Sequence, residues 1–476
     1  MLVAGILVAL FILHLPFLNA DPDWQLCCSR DAWNAEGINS IQIRNYLNHG
    51  TFSLTECHNF LKMPLFNAWL FLPMKFFGTQ LTVARVSVLV WVLMVMAWAA
   101  SSPHMLFPLA AIVCLMQLHV FQYSHLAMSE MIAVAMVALS IRFLLAALVE
   151  TMQQTQKIFF AALFVFLSYC VKIQFVYAAA LVPFSLLLVR WFRVAPVSAP
   201  LLQRAVVLTA VFATVYVLAW YLPNRSFFNQ VLAFESEEKV PSTGNLLQTI
   251  FSHIRMNLLG PSTRYFMLLA FISFVAGCLH FLRSGDSQFK ILFVLSCCWL
   301  LLESHRLFFT YFPPRYQVSF FFAAGFNASI VIHALLFSSS RNRMMKGMAI
   351  LLLLTFALLN GIRYVRQINE RQFTVAVAND YMRRATIDSS RVILGSWAPA
   401  ITWESASRAV PVWKDFLNDK LMMEKFEPAA VITEPGETDS RRAFMSENVN
   451  LAVLSDSARA IDVGPWHLLI YWIKEK

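Results

Sequence analysis

The feature that most constrains this chain is a series of long apolar segments that fill most of residues 1–363. A membrane-spanning helix needs about 20 apolar residues, fewer where short helices pack within protein, and about eleven segments meet this requirement. Because the bilayer core offers the backbone no water to bond, such segments must fold as internally hydrogen-bonded helices. We therefore predict an α-helical polytopic membrane protein with about eleven transmembrane helices. The predicted spans are 1–19, 79–100, 104–122, 127–149, 158–170, 174–190, 205–222, 264–283, 289–304, 317–338 and 344–363.

Composition supports this class of protein and excludes another. Hydrophobic residues make up 59% of the chain and charged residues only 13%, whereas an average soluble domain is about one quarter charged. The formal net charge of +10 could indicate nucleic-acid binding, but basic residues also accumulate in the cytoplasmic loops of membrane proteins. We expect the bilayer, and no nucleic acid, as a partner.

The distribution of basic residues predicts the orientation in the membrane. With the N-terminus inside, the cytoplasmic loops are short and basic, as the positive-inside rule requires. Fusing spans 158–170 and 174–190 into one helix would invert every later loop, and it would bury Lys172 near the middle of a span. We therefore expect two short spans there. The basic residues assigned to the inner side are Lys157, Arg190, Arg193, Arg204, Arg283, Lys290, Arg341, Arg343 and Lys346.

This orientation puts a long first loop (20–78) and the polar tail on the outer side. We predict two domains, a transmembrane domain over 1–363 and an extracytoplasmic soluble α/β domain over 364–476. In the tail, apolar runs predict strands, and two stretches between them predict helices. The predicted strands are Arg391–Ser396, Ala429–Thr433, Asn450–Leu454 and His467–Ile473, and the predicted helices are Asn418–Phe426 and Asp439–Ser446. We expect Trp397 and Trp413 of the tail to serve packing.

Ionisable residues of the hydrophobic region gather at the outer ends of the predicted spans. Charges at the rim of a helical bundle favour an enzyme that handles a charged group at the lipid boundary. A carrier more often has ionisable residues at the bilayer midplane and internal repeats, and the sequence has neither. The residues in question are Glu36, Lys62, Glu130, Lys172, Glu303, Arg306 and Arg315.

The first loop contains a stretch that can form a helix at the membrane surface. Residues 33–48 have Ile38, Ile41, Ile43 and Leu47 on or near one side, which is the pattern of an interfacial amphipathic helix. This helix would hold Glu36 at the level of the lipid headgroups.

The order of short motifs along the chain resembles that of a known enzyme group. The first loop and its flank resemble those of type-C membrane glycosyltransferases, specifically the protein O-mannosyltransferase and aminoarabinose-transferase group (glycosyltransferase family 39-like). The resemblance covers 1–363 in topology but only about forty residues in motif. The matching motifs are Trp33-Asn-Ala-Glu36-Gly37, Arg44 to Gly50, Phe60-Leu-Lys62-Met-Pro64-Leu65, Phe77-Gly78, Ala84-Arg85, Ser129-Glu130, Val171-Lys172 and Pro314-Arg315-Tyr316.

The resemblance implies transfer of a sugar from a polyprenyl-phosphate donor to an extracytoplasmic glycan, lipid or protein acceptor, with inversion. Cations would neutralise the departing lipid phosphate, and a carboxylate would accept the proton of the acceptor hydroxyl. We expect Lys62, Lys172 and Arg315 to line one cavity opening to the outer leaflet. Arg306 and Tyr316 complete the expected donor-binding set. Glu36 is the first candidate base and is expected to point into the cavity. Glu130 is the second candidate, either as the base or as a residue that orients a cation.

Three departures from the family pattern limit this assignment. With Arg44 aligned, the first acidic residue of the family falls on Ala35, so only Glu36 of the pair remains. Leu61 stands where the aminoarabinose enzymes have an acidic residue, and Asn229–Ala233 lacks the His and Arg expected after Phe228. These changes argue against transfer of aminoarabinose itself.

Two other functions stay open, a lipid-linked sugar flippase or carrier, and a non-catalytic relative that binds lipid phosphate. The cysteine spacing predicts no metal site, and the sequence indicates no certain cofactor. One disulfide among Cys27, Cys28 and Cys57 is as plausible as free thiols. The expected location is the membrane as a multi-pass protein, the inner membrane if the source is bacterial.

Overall fold

The computed structural model describes residues 2–27, 29–101, 106–150, 152–239, 245–260, 263–337, 343–385, 391–415 and 418–474. In chain order, the helices before the tail are α1 Leu2–His14, α2 Trp24–Cys27, α3 Asp31–His49, α4 Asn59–Lys62, α5 Pro64–Phe77, α6 Leu81–Ala100, α7 Leu106–Leu115, α8 Leu118–His125, α9 Glu130–Val149, α10 Gln154–Val171, α11 Leu181–Trp191, α12 Ala199–Tyr216, α13 Arg225–Lys239, α14 Leu246–Leu259, α15 Arg264–Arg283, α16 Ser287–Glu303, α17 Pro314–Phe337 and α18 Arg343–Glu370. Short 3₁₀ segments lie at Leu15–Phe17, Leu54–Glu56, Ile173–Ala180, Leu222–Asn224 and Ser304–Phe308, and a π-helical turn lies at Val217–Tyr221.

Within the described residues, nine helices are long and apolar enough to cross a membrane. They coincide with nine of the predicted spans, including the two that flank Lys172. The helix is interrupted there, because Lys172 is extended (φ −155°) and ends α10. The prediction of two spans instead of one is confirmed. The nine are Leu81–Ala100, Glu130–Val149, Gln154–Val171, Ile173–Trp191, Ala199–Phe234, Arg264–Arg283, Ser287–Phe308, Pro314–Phe337 and Ala349–Ala385.

The other two predicted spans are shorter than expected. The first is represented by the apolar stretch Val3–Phe17. The third is divided into α7 and α8, because the Gln117 side chain accepts a hydrogen bond from the Val120 amide and starts a new helix. At 1.5 Å per residue, the ten residues of α7 extend only about 15 Å, half of a bilayer core.

Burial separates the centre of the bundle from its periphery. The most buried spans are α9 and α17, with 78% and 72% of their apolar windows buried, whereas Ala199–Phe234 and Ala349–Ala385 are each only 6% buried. Apolar side chains that no protein covers are compatible with contact to lipid. The predicted outer loop after span 205–222 is largely helical, in α13 and α14.

Helix α3 is a buried helix, so the prediction of an interfacial helix over 33–48 is wrong. Most of its residues, including Glu36, Ile41 and Arg44, are buried. The tail covers it, since the Arg44 guanidinium donates to the carbonyls of Pro399 (2.7 Å) and Thr402 (3.1 Å). The same guanidinium lies 4.2 Å from the ring centroid of Trp403. The tail therefore covers the face of α3 that carries Arg44.

Gly37 lets the tail approach α3. A Cβ at this position would lie 2.3 Å from the carbonyl oxygen of Pro399, and that backbone cannot move without disturbing its bond to Arg44. We expect Gly37→Ala to lower the free energy of unfolding by about 1–3 kcal/mol, the usual cost of overpacking. Thermal unfolding in detergent measures this. Gly361→Ala is the matched control, because nothing lies within 4 Å of its Cβ, and equal melting temperatures for the two variants would contradict the prediction.

The tail forms a small mixed sheet with helices around it. Its strands are β1 Val392–Leu394, β2 Arg408–Val410, β3 Ala430–Thr433, β4 Ser455–Val463 and β5 Trp466–Ile473. Their order in the sheet is β2-β1-β3-β5-β4, with β1 parallel to β2 and β3, and β5 antiparallel to β3 and β4. The helices are α19 Thr374–Ala385, α20 Ala398–Ile401, α21 Met422–Phe426, α22 Thr438–Ser446 and α23 Leu451–Leu454.

Three of the predicted strands match β1, β3 and β5 within a few residues, and the two predicted helices match α21 and α22. The predicted strand Asn450–Leu454 is wrong, because Leu451–Leu454 is helical and the strand begins at Ser455. Strand β4 lies at the sheet edge and is mostly exposed, so it lacks the alternating apolar pattern that marks a half-buried strand. Strand β2 is only three residues long, too short for periodicity to show.

Four tryptophans join the tail to the first loop. Trp466 lies 4.9 Å from Trp33, 5.6 Å from Trp24 and 5.5 Å from Trp397 between ring centroids. The packing role expected for Trp397 is confirmed, since it is fully buried.

Two of the three first-loop cysteines are seen as free thiols. Cys27 and Cys57 are both buried and form no disulfide, and Cys28 lies outside the described residues. Burial raises the pKa of the Cys57 thiol to about 11, so it stays protonated and unreactive at neutral pH.

Candidate active site

Three of the predicted cations line one cavity, which confirms that part of the prediction. The cavity has a volume of about 340 Å³, and Lys62, Lys172 and Arg315 all line it. They come from distant parts of the chain. Lys62 belongs to α4, Lys172 lies between α10 and the next span, and Arg315 lies in the first turn of α17. Its other lining residues are Arg30, Asp31, Asn34, Ala35, Ile38, Asn39, His58, Asn59, Met63, Ile173, Gln174, Phe234, Tyr311, Tyr316 and Trp413.

One face of α3 forms a wall of this cavity. Asp31, Asn34, Ala35, Ile38 and Asn39 all line it. Their spacing of three, four, seven and eight residues from Asp31 is that of a single helix face. The acidic group on this face is Asp31, which stands one helical turn before Ala35.

Asp31 is held by two partners that also line the cavity. Its Oδ2 lies 3.1 Å from the Arg315 guanidinium and accepts a hydrogen bond from the Tyr311 hydroxyl. Burial raises the pKa of Tyr311, so the hydroxyl stays protonated and remains a donor. Both contacts fall on Oδ2, which leaves Oδ1 as the oxygen that can accept a further proton.

Arg315 has bonding capacity beyond Asp31. Its guanidinium carbon lies 4.8 Å from the Tyr316 ring centroid, and one terminal nitrogen donates to the Tyr316 hydroxyl at 3.2 Å. Its buried Nε has no hydrogen-bond partner among the described residues. A buried guanidinium donor without a partner fits an anionic ligand such as phosphate.

Lys172 is positioned by Glu130. The Lys172 ammonium bonds the Glu130 carboxylate, and both side chains are almost fully buried. The ammonium also lies 5.2 Å from the Tyr316 ring centroid. Tyr316 therefore contacts both cations, and Glu130 bonds Lys172 without lining the cavity itself.

Arg306 lies behind this arrangement, so the expectation that it takes part in donor binding is not supported by its position. Arg306 lies next to Tyr316, and its guanidinium donates a hydrogen bond to the Tyr316 carbonyl at 2.6 Å. It is also 3.2 Å from the Glu303 carboxylate and from the Tyr177 hydroxyl. Arg306, Glu303 and Tyr316 are buried and Tyr177 is half-buried, and Arg306 is not among the residues that line the cavity.

Glu36 also lies away from the cavity, so the expectation that it points inward is wrong. Its carboxylate bonds Arg85 through two contacts, at 2.9 and 2.6 Å, and accepts the Ala127 amide at 2.6 Å. The Arg85 guanidinium is fully buried and also donates to the carbonyl of Ala20 at 2.6 Å. A step of one residue turns the side chain by about 100°, so Glu36 faces α6 while Ala35 faces the cavity.

The tail contributes to the cavity as well. Trp413, which follows β2, lines it and lies edge-on to His58 at 6.3 Å between ring centroids. The packing role expected for Trp413 is thus incomplete. Arg30, which also lines the cavity, bonds Glu434 of the tail at 3.2 Å.

Sequence reasoning missed Asp31 and Trp413 for different reasons. Asp31 carried a usable signal, since it precedes Ala35 by four residues and so shares its helix face. Trp413 carried none, because no local pattern brings residue 413 to the first loop. Among the described residues, no group of three or more His, Cys, Asp or Glu side chains could hold a metal ion.

The chain was compared with known proteins by sequence and by structure. A scan against protein-family models found no match, and a search of the curated proteins found none either. Solved structures, in contrast, match this chain over more than nine tenths of its length. One is ArnT from Cupriavidus metallidurans bound to undecaprenyl phosphate, with a TM-score of 0.62, 12% identity, and coverage of 98% of this chain and 97% of that one. ArnT in the apo state matches with a TM-score of 0.60 and 11% identity, over 98% and 97% of the two chains.

A second protein with this architecture is the oligosaccharyltransferase AglB from Archaeoglobus fulgidus, in complex with an inhibitory peptide and a dolichol-phosphate. It matches with a TM-score of 0.57 and 11% identity, over 91% of this chain and 69% of that one. At such identities the likeness concerns the fold. The chain is thus an integral multi-pass membrane protein that shares the type-C glycosyltransferase fold of ArnT and AglB.

Proposed function

We propose that this protein is a membrane glycosyltransferase that moves a sugar from a polyprenyl-phosphate donor to an acceptor hydroxyl. The observation that carries the proposal is the convergence of Lys62, Lys172 and Arg315 with Asp31 in one cavity. The fold supports it, because the ArnT structure holds undecaprenyl phosphate and the AglB structure a dolichol-phosphate. We also infer that residues 364–476 form an extracytoplasmic domain, which would put the acceptor on that side.

In this reaction the bond between the anomeric carbon and the phosphate oxygen breaks, and the acceptor oxygen forms the new bond. The lipid phosphate leaves with one more negative charge. Lys172 and Arg315 stabilise that charge, because both line the cavity and cationic donors act where charge develops. Glu130 bonds the Lys172 ammonium and so orients it. Arg306 fixes the backbone at Tyr316, whose ring both cations contact.

The acceptor hydroxyl must lose a proton as it attacks, and we assign Asp31 as the general base. Asp31 lines the cavity, whereas the Glu36 carboxylate is bonded to Arg85 and the Glu130 carboxylate is bonded to Lys172. A base must reach the proton it removes, and cavity access favours Asp31 among these three acids. Attack opposite the leaving phosphate would invert the anomeric centre.

Replacing the phosphate-binding cations tests the leaving-group role. We expect Lys172→Met and Arg315→Met each to lower turnover roughly 10–100-fold, since a hydrogen bond to a charged group contributes about 1.5–3 kcal/mol. The assay uses proteoliposomes, labelled polyprenyl-phosphate sugars and a panel of glycan, lipid and protein acceptors, and it measures release of sugar-free polyprenyl phosphate. Arg459→Met is the matched control, because Arg459 is exposed on β4. Turnover like wild type in both cavity variants would refute the assignment.

A non-catalytic lipid-phosphate binder is the second candidate, and Ala35 is the observation that favours it. Such a protein would bind polyprenyl phosphate through the same cations but release no sugar from any donor in the panel. Binding of undecaprenyl phosphate without transfer would therefore select this alternative.

A further inference from the structure

We infer that the cavity selects a donor sugar that is rich in hydroxyl groups and carries no ammonium group, with its ring packed on Trp413 of the tail. The inference rests on the proposed function and adds the class of sugar. Three features of the cavity support it, namely two buried amides, the sign of its charges, and an aromatic surface supplied from outside the membrane region.

The amides of Asn34 and Asn39 are built for a polar ligand. Both line the cavity from α3, and they are only 6% and 7% exposed. Neither side chain forms a hydrogen bond within the described part of the chain. Their amide atoms are open to the cavity, and an amide offers both donors and acceptors, which matches the two-way bonding of sugar hydroxyls.

Two further amides belong to this polar lining, and each is within three residues of a cation of the cavity. Asn59 and Gln174 also line the cavity. Among the described residues, the Asn59 side chain makes one weak contact, 3.5 Å from its amide nitrogen to the Cys57 sulfur. A ligand with several hydroxyl groups therefore meets four amide side chains in the lining of this cavity.

The charges of the cavity disfavour a cationic sugar. Among its described lining residues, four are cationic (Arg30, Lys62, Lys172 and Arg315) and one, Asp31, is a carboxylate. That carboxylate is already bonded by Arg315 and Tyr311. Three of the cations are themselves bonded to carboxylates, Arg30 to Glu434, Lys172 to Glu130 and Arg315 to Asp31. The described lining therefore offers an ammonium group no carboxylate without a cation, and the cations beside it disfavour a further positive charge.

Trp413 supplies an apolar surface to the same cavity. It is half-buried, packing against the cluster of Leu61, Phe228 and Val231, and it also lines the cavity. The apolar face of a sugar ring can pack on an indole, which offers a large rigid surface.

The chain around Trp413 is held in place from both sides. The Ser440 hydroxyl donates to the Val412 carbonyl at 3.0 Å, and the Asn418 amide donates to the Glu56 carbonyl at 3.0 Å. The Arg408 guanidinium of β2 bonds the Glu56 carboxylate, with its Nε at 2.6 Å. Trp413 is therefore a specificity-determining residue that the tail holds against the donor site.

Affinity measurements on the full-length protein in nanodiscs test the inference. The probes are three lipids with the same polyprenyl chain. They are sugar-free polyprenyl phosphate, polyprenyl-phosphate glucose and polyprenyl-phosphate glucosamine, in which one ammonium replaces one hydroxyl of the glucose. We expect the glucose lipid to bind at least tenfold more tightly than the glucosamine lipid at pH 7. We expect Trp413→Ala and Asn39→Ala each to lower affinity for the glucose lipid at least fivefold, with binding of sugar-free polyprenyl phosphate unchanged.

Two matched controls separate specificity from folding. Asn48→Ala replaces an exposed asparagine of the same helix, and Trp98→Ala replaces a tryptophan that is 46% exposed on α6. Both should keep wild-type affinity for all three lipids. Because sugar-free polyprenyl phosphate reports on folding and on the phosphate site, its normal binding in the cavity variants excludes misfolding.

The outcomes distinguish this inference from the function on which it rests. Equal affinity for the glucose and glucosamine lipids, or wild-type affinity for the glucose lipid in both cavity variants, would overturn the inference and leave transferase function standing. Selective binding of the glucose lipid without transfer to any acceptor would support the inference and overturn the transferase proposal.

Discussion

Asp31→Asn is expected to lower turnover by 10²–10⁴-fold, or roughly 3–5 kcal/mol in the transition state, the usual loss when a general base is removed. The amide keeps the shape of the side chain but cannot accept the acceptor proton. Its binding of polyprenyl phosphate should change far less, because Lys62, Lys172 and Arg315 remain. Initial rates of sugar transfer, together with undecaprenyl phosphate affinity, measure both quantities.

Three further variants make this test specific. Asp456→Asn is the matched control, since Asp456 is exposed on β4, and it should turn over like wild type. Glu36→Gln and Glu130→Gln test the two acids predicted from the sequence. Rates must be expressed per folded molecule, because both acids hold buried cations. If Asp31→Asn kept wild-type turnover while one of these lost it, the base would be that acid instead.

Glu36→Gln is expected to lower the free energy of unfolding by about 3–5 kcal/mol, the usual consequence of removing one partner of a buried ion pair. Arg85 is fully buried and Glu36 is 3% exposed, so the remaining guanidinium charge would have no carboxylate and no access to water. Thermal unfolding in detergent, monitored by protein fluorescence, should show a large fall in melting temperature.

A surface ion pair supplies the matched control for this effect. Glu150 bonds Lys157 at 2.6 Å, but its side chain is 41% exposed, so Glu150→Gln should cost at most about 1 kcal/mol. The double variant Glu36→Gln with Arg85→Met should recover part of the loss, because it removes the unpaired charge. An unchanged melting temperature for Glu36→Gln would contradict the structural role assigned to this carboxylate.

The assignment of Glu36 shows how a correct motif can lead to a wrong side-chain direction. The sequence located the helix that carries the site, and Ala35 does face the cavity. Direction depends on the helix face, and neighbouring residues differ by about 100°. The acid on the correct face is Asp31, one turn earlier, which lies about 6 Å along the helix axis from Ala35.

Local physical chemistry determined much of this protein from the sequence alone. Apolar length identified nine long membrane helices, because the bilayer excludes unpaired backbone groups. The position of Lys172 between two short apolar runs identified the end of one helix and the start of the next span there. The short-motif resemblance led to a type-C fold and to three cations of one cavity.

Tertiary structure alone decided what the charges and the tail do. Whether α3 faced lipid or protein depended on the docking of Pro399 and Thr402 onto Arg44, residues about 350 positions apart in the chain. The same docking brought Trp413 to the cavity. Spacing along a chain predicts which residues share a helix face, but contacts between distant segments arise from the packing of whole elements. For that reason the sequence identified the ionisable groups, and only the fold determined which were paired with each other and which face the cavity.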